Sequence, residues 1–179
     1  HMAESMKLAY ADRAEYLGDP DFVDIPLEGL ISKAYADELA QLITDKATPA
    51  QAIKPGNPLP FESDQTTHYS IMDKDGNAVA VTYTLNTNFG TGIVAEGTGI
   101  LLNNEMDDFS AKPGVANAYG LVGGEANAVA PGKRPLSSMT PTLLLKDGQP
   151  VLVTGTPGGA RIITTVLQSV TNLVDYDMN

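Results

Sequence analysis

Residues 65–85 read QTTHYSIMDKDGNAVAVTYTL, and this stretch says most about the fold. Its segments 68–72 and 78–85 are rich in β-branched and aromatic residues, and Asp75 and Gly76 lie between them. Two such segments joined by Asp-Gly are typical of a β-hairpin. Both faces of the second segment carry apolar or small side chains, so we expect the hairpin to be covered on both sides.

The rest of the chain predicts a mixed α+β fold. A second hairpin is expected over 142–154, around the turn formed by Lys146, Asp147 and Gly148. Apolar residues at helical spacing predict three helices, over 3–17, 32–46 and 160–174. The segment 109–134 is rich in Gly, Pro and Asn, and a loop of this length in a compact domain is usually functional.

Composition excludes several classes of protein. The 179 residues contain 22 acidic and 11 basic side chains, a net charge of −11, which argues against a nucleic-acid partner. No apolar run reaches the roughly 18–20 residues that span a bilayer, so no membrane span is expected. The chain has no cysteine, which excludes disulfides, thiolate metal sites and a cysteine nucleophile.

The first two residues and the segment before Thr66 are also informative. His1 and Met2 are expected to be the remnant of a removed tag, so that the natural sequence starts at Ala3. His68 is then the only natural histidine, which excludes an imidazole cluster for zinc. The segment 48–65 contains four prolines and no periodicity, and it is predicted to be an extended linker.

Thr66 follows this linker and opens the first strand. A threonine hydroxyl needs a base to become a nucleophile, and without a neighbouring histidine the obvious base is an α-amino group. That amine has a pKa of about 7.7–8.0, but it exists only if the bond between Gln65 and Thr66 is cut. The alternative is that Thr66 is an ordinary strand residue.

Several motifs occur in a fixed order along the chain. They are QTTHYS at 65–70, DGNAV at 75–79, NNEMDDF at 103–109, RPLSSM at 134–139 and the glycine pair at 158–159. With these motifs the chain resembles the bacterial γ-glutamyltranspeptidases from about residue 9 to residue 179. The resemblance implies an N-terminal nucleophile hydrolase, an α+β fold with an αββα sandwich that is incomplete in this chain.

The resemblance also implies a precursor that cuts itself into a large and a small subunit. Residues 3–47 would be the helical tail of the large subunit, 48–65 a linker ending at the junction, and 66–179 the first part of the small, catalytic subunit. The remaining parts of both subunits, including an arginine for the donor carboxylate, are expected as partners. Bacterial relatives are exported, so a periplasmic or secreted location is expected.

The implied activity is γ-glutamyl acyl transfer and hydrolysis, with glutathione and other γ-glutamyl compounds as donors. Thr66 would attack the bond that follows Gln65 during maturation and later form a γ-glutamyl ester. Water, an amino acid or a short peptide would then resolve that ester. The resemblance implies no metal and no organic cofactor.

Two groups of residues would recognise the donor. By resemblance, the α-amino group is contacted by Asn86, Glu105 and Asp108, and the α-carboxylate by Ser137 and Ser138. Glu105 stands where some relatives carry glutamine. For the acidic residues the alternative is a solvated turn.

Further residues would support the reaction. Thr84 matches a residue whose hydroxyl supports the nucleophile, Gly158 and Gly159 match the oxyanion hole, and Tyr119 matches a lid over the substrate. The alternatives are a packing residue for Thr84 and a helix-capping turn for the two glycines, although capping and oxyanion binding are compatible.

Two other hypotheses remain open at this point. The chain could be a catalytically inactive piece with its junction uncut, oligomeric through exposed strand edges. It could also be an acidic, β-rich binding module, which requires the ordered motifs to be coincidence.

Overall fold

A computed structural model of the chain describes residues 1–49, 52–53, 66–116 and 122–178. The helices and strands within them are α1 (Met2–Tyr16), α2 (Leu27–Leu30), α3 (Lys33–Ala40), β1 (Thr67–Met72), β2 (Ala78–Tyr83), β3 (Thr142–Lys146), β4 (Gln149–Thr154) and α4 (Arg161–Tyr176). Short 3₁₀ turns lie at Glu105–Asp108 and Glu125–Asn127. None of the helices in these ranges is long and apolar enough to cross a membrane.

Both predicted hairpins are confirmed. Strand β1 pairs antiparallel with β2, and β3 pairs antiparallel with β4 with a bulge after Leu144. The first turn is closed by the carboxylate of Asp73, which accepts hydrogen bonds of 2.9 Å from the backbone N–H groups of Asp75 and Asn77. This bonding explains why an aspartate directly follows the first strand. Strand β4 also contacts both strands of the first hairpin.

The expectation that the first hairpin is covered on both sides is wrong for the described residues. Ile71 of β1 is 60% exposed and Val79 of β2 is 49% exposed. An apolar strand face is buried only by a second layer, and the described strands form two separate two-stranded sheets. The apolar faces are therefore those of an incomplete sandwich.

The predicted helices are present with different ends. Helix α3 begins after Ser32, whose hydroxyl accepts a 3.1 Å bond from the backbone N–H of Tyr35, but the helix ends at Ala40 instead of residue 46. Helix α4 has the strongest apolar face, and its Ile162 and Val166 are 1% and 5% exposed. Burial of this face explains why the C-terminal prediction succeeded.

The chain forms two compact units, each built from separated stretches. The first consists of the described residues of His1–Phe61 and Met106–Leu136, and the second of those of Glu62–Glu105 and Ser137–Asn179. The division into a large-subunit tail, a linker and a small subunit remains a prediction. Much of the proposed linker lies outside the described residues.

Candidate active site

Two threonines flank the open end of the first hairpin. Thr66 directly precedes β1 and Thr84 directly follows β2, and the last paired position between the strands is Thr67 opposite Tyr83. Both threonines belong to the second unit. If the register continued by one residue, they would lie opposite each other, with Cβ atoms about 4.5–5.5 Å apart.

Asn86 orients the hydroxyl of Thr84. Its backbone N–H donates a 2.9 Å hydrogen bond to Thr84 Oγ1, and its side-chain Nδ2 donates a 3.1 Å bond to the carbonyl of Asn104. Asn86 is only 3% exposed and has a φ of 75°, a left-handed conformation that asparagine tolerates better than most residues. The chain thus turns sharply after β2, where the family resemblance expects donor binding.

Asn104 ties this turn to the next motif, and the sequence reasoning did not identify it. Its backbone N–H donates to the carbonyl of Leu85 at 3.1 Å, and its Oδ1 accepts from both the backbone N–H and the hydroxyl of Thr87 at 3.1 Å. The following residue, Glu105, has a buried carboxylate oxygen. The sequence feature that could have pointed to Asn104 is the Asn103-Asn104 pair directly before Glu105.

His68 is a second residue that the sequence reasoning left without a role. Its Nδ1 lies 2.7 Å from Thr82 Oγ1, and its Nε2 lies 2.9 Å from Ser70 Oγ. Gly155 lies against the ring, so closely that a Cβ at this position would be 2.3 Å from the imidazole. The ring two residues after Thr66 is therefore fixed by two hydroxyls and a glycine.

The two glycines before α4 have conformations that other residues rarely adopt. Gly158 has a φ of 133° and Gly159 a φ of 54°. The carbonyl of Gly158 accepts a 3.0 Å bond from the N–H of Arg161 in the first turn of α4. Because N–H and C=O point in opposite directions across a trans peptide, the N–H of Gly159 points away from this turn. The two glycines therefore lead into α4, whose N-cap residue is Ala160.

The serine pair lies shortly before β3. The hydroxyl of Ser137 accepts a 3.1 Å bond from the backbone N–H of Met139, and the carbonyl of Ser138 accepts a 2.9 Å bond from Thr140 Oγ1. These local bonds hold the pair in a non-helical, non-strand conformation. Ser137 is exposed to solvent.

Asp108 is the one described donor-binding candidate in the first unit. It ends a 3₁₀ turn and lines a cavity of about 140 Å³ together with Arg13, Ser110 and Asn127. Burial lowers the pKa of Arg13, and the charges of Tyr10 and Asp108 oppose this shift. An acidic group beside a half-buried arginine is thus part of a polar cavity and not of a freely solvated turn.

An ion pair fixes the chain just before the serine pair. The carboxylate of Asp19, 3% exposed, accepts bonds from the backbone N–H of Arg134 at 2.8 Å and from its Nε at 3.0 Å, and it also contacts the terminal guanidinium nitrogen. The hydrogen bonds from Arg134 hold the pKa of Asp19 well below its ordinary value of 3.8. Arg134 is the first residue of the motif RPLSSM, but the sequence does not indicate its partner.

The predicted site residues thus divide between the units. Those in the second unit are Thr66, Thr84, Asn86, Glu105, Ser137, Ser138, Gly158 and Gly159. Asp108 is in the first unit, and Gln65 and Tyr119 lie outside the described residues. Across the ranges that the structure describes, no three acidic or histidine side chains are grouped to hold a metal ion.

Comparison with known proteins gives matches along the whole chain. Residues 1–179 match the family model for gamma-glutamyltranspeptidase. The glutathione hydrolase proenzyme of Escherichia coli K12 is 69% identical over 179 residues, covering 99% of this chain and 31% of that protein. The chain therefore spans about a third of the length of this relative.

Solved structures agree with the sequence matches. A mutant gamma-glutamyltranspeptidase of Helicobacter pylori aligns with a TM-score of 0.62 at 62% identity, over 63% of this chain and 61% of that one. A cephalosporin acylase from Bacillus halodurans aligns with a TM-score of 0.78 at 31% identity, over 99% of this chain and 30% of that one.

These alignments confirm the predicted N-terminal nucleophile hydrolase fold, of which this chain holds a part. The ordered motifs, the hairpin with Thr66 at its head and the match over residues 1–179 all agree. The chain belongs to the gamma-glutamyltranspeptidase family.

Proposed function

We propose that this chain carries the cleavage junction and part of the catalytic centre of a proenzyme that transfers γ-glutamyl groups to water or to an amine. The observation that supports the proposal is the open end of the first hairpin, where Thr66 directly precedes β1 and Thr84 directly follows β2, with the N–H of Asn86 bonded to the Thr84 hydroxyl. The 69% identity to a glutathione hydrolase proenzyme supports the γ-glutamyl substrate class.

The chemistry begins with cleavage of the bond between Gln65 and Thr66, which frees the α-amine of Thr66. This amine takes the hydroxyl proton as Thr66 Oγ attacks the γ-carbonyl carbon of the donor. The negative charge that develops on the carbonyl oxygen is stabilised by backbone N–H groups of Gly158 and Gly159. The donor's amine departs with a proton, and water or an acceptor amine then breaks the ester and restores the hydroxyl.

Donor recognition divides by charge. Glu105 and Asp108 suit the ammonium of the glutamyl group, and Asn86 adds an amide. The hydroxyls of Ser137 and Ser138 suit its α-carboxylate, assisted by a cationic group from the rest of the proenzyme. Tyr119 is proposed to close over the bound donor and exclude water. These contacts require no metal or organic cofactor.

The remaining parts of the large and small subunits are proposed as the partners that complete the sandwich. They account for the apolar strand faces left exposed in the described residues. A periplasmic or secreted location is proposed from the family resemblance.

The test uses the 179-residue chain and the proenzyme that contains it. Intact mass spectrometry and N-terminal sequencing of the proenzyme should show a piece beginning at Thr66. Thr66→Ala should abolish both this piece and turnover of a γ-glutamyl anilide, whereas Thr67→Ala at the next, exposed position should preserve both. Unchanged turnover in Thr66→Ala would contradict the nucleophile assignment.

The same measurement on the 179-residue chain addresses the alternative hypothesis. A single uncut species of 18.8 kDa would show that the chain needs the rest of the proenzyme for cleavage. Two pieces would show that these 179 residues suffice for cleavage.

A further inference from the structure

We propose that Asn127 is a positioning residue, which holds the turn carrying Asp108 against the segment that ends at Leu136. This inference rests on the proposed function, in which Asp108 binds the ammonium of the donor. Asn127 ends the 3₁₀ turn Glu125–Asn127 and is 5% exposed. Asn127, Asp108 and Leu136 all belong to the first unit.

The side-chain amide of Asn127 bridges two segments. Its Nδ2 donates a 2.7 Å hydrogen bond to the carbonyl of Asp108, and its Oδ1 accepts a 3.0 Å bond from the backbone N–H of Leu136. Because a carbonyl only accepts and an N–H only donates, one orientation of the amide satisfies both partners. Leu136 is the residue directly before Ser137.

The backbone of Asn127 adds a third contact. Its carbonyl accepts a 2.9 Å bond from the N–H of Ser110, two residues after Asp108. The Asp108 turn is thus held by both the side chain and the backbone of Asn127, whereas Leu136 is held by the side chain alone. A mutation of the Asn127 side chain can therefore remove the bond to Leu136 while the backbone bond to Ser110 remains.

The Asn127 turn is itself packed on the helical part of the first unit. The N–H of Gly124 donates a 2.9 Å bond to the carbonyl of Ala14 near the end of α1. Gly18 lies so close to the carbonyl of Ala126 that a Cβ there would be 2.1 Å from its oxygen. Asn127 therefore projects from a closely packed support.

The contacts with the donor determine which kinetic constant the mutation should change. The donor's ammonium and carboxylate keep their charges from the bound substrate to the transition state. Contacts to them contribute equally to both states, so weakening them raises KM and leaves kcat largely unchanged. A small displacement of the Asp108 turn should therefore appear in KM for the donor.

The activity test uses the processed proenzyme. Asn127→Ala should raise KM for a γ-glutamyl anilide about five- to tenfold, the effect of weakening one hydrogen bond between Asp108 and the donor, with kcat within about twofold of wild type. Glu4→Gln is the matched control, because Glu4 is another buried polar residue of the first unit, 8% exposed, bonded to Lys7 and Thr48. It should leave KM unchanged.

An equal KM in Asn127→Ala and Glu4→Gln, with an active wild type, would overturn the inference. A wild type without γ-glutamyl turnover would instead overturn the proposed function. The bridge itself is then still tested by a measurement that needs no substrate.

That measurement is amide hydrogen exchange in the 179-residue chain. Asn127→Ala should accelerate exchange at the N–H of Leu136 at least about tenfold, because its acceptor is removed. Asn127→Asp keeps an acceptor oxygen and should preserve this protection. The N–H of Ser110, bonded to the backbone, should be unchanged in both variants and reports that the unit is folded. Equal Leu136 exchange in wild type, Asn127→Ala and Asn127→Asp would overturn the bridge.

Discussion

Replacing Gly155 by alanine tests how tightly the His68 ring is held. The new Cβ would lie 2.3 Å from both Cε1 and Nδ1 of the ring, where ordinary contact begins at 3.4 Å. The ring must therefore move by about an ångström or more. It cannot do so without disturbing the bonds of 2.7 Å to Thr82 and 2.9 Å to Ser70.

The expected cost combines two effects. Forcing a methyl group into a filled space costs about 1–3 kcal/mol. Loss of the partly buried bond to Thr82 costs about 1 kcal/mol, and the exposed bond to Ser70 costs less. We therefore expect Gly155→Ala to lower the free energy of unfolding by about 2–4 kcal/mol, a large share of the 5–15 kcal/mol of an ordinary domain.

Urea unfolding of the 179-residue chain measures this change. Gly29→Ala is the matched control, because nothing lies within 4 Å of the added Cβ and α2 favours alanine over glycine. In a His68→Ala background, Gly155→Ala should cost less than about 1 kcal/mol, because the clash is gone. A full cost in that background, or none in the wild-type chain, would refute the reasoning.

Three further predictions concern stability. Arg134 lowers the pKa of Asp19 in the folded chain, so ionised Asp19 stabilises the fold at pH values above the ordinary pKa of aspartate. This stabilisation is lost as the pH falls below that ordinary pKa. In an acid titration, Asp19→Asn should therefore lose stability less steeply than wild type below about pH 5. Ile162→Ala, at a 1% exposed position, should cost about 2–5 kcal/mol in urea unfolding, and Leu167→Ala, at a 46% exposed position, much less. Ser32→Ala should lower the free energy of unfolding by about 1 kcal/mol through loss of the helix cap, and an unchanged urea midpoint would contradict this.

The elements that sequence predicted well are those with a local cause. The hairpin of β1 and β2 follows from β-branched residues around Asp75-Gly76, and α4 follows from a regular apolar face. Helix α3 was predicted too long because the apolar residues Leu42 and Ile43 continue the helical spacing, although the helix itself ends at Ala40. Periodicity indicates which face of a helix is apolar, but not the residue at which the helix ends.

The parts that sequence did not predict depend on partners far apart in the chain. Nothing near Asp19 indicates Arg134, which follows 115 positions later. The bridge from Asn127 to Asp108 and Leu136 depends on where three loops meet, and loops carry no periodicity. The family motifs predict candidate site residues, but they do not indicate the amide hydrogen bonds that Asn104 and Asn127 make nearby.

The first unit is built from two separated stretches of the chain, and this has a consequence for the cleaved protein. A cut before Thr66 would place α1 and Asp19 on one polypeptide and Asn127 and Arg134 on the other. The two pieces would then share one folded unit, joined by the Asp19–Arg134 pair and the bond from Gly124 to Ala14. Their dissociation would require that unit to unfold, so the cleaved chains should stay interlocked through ordinary purification and separate only in denaturant.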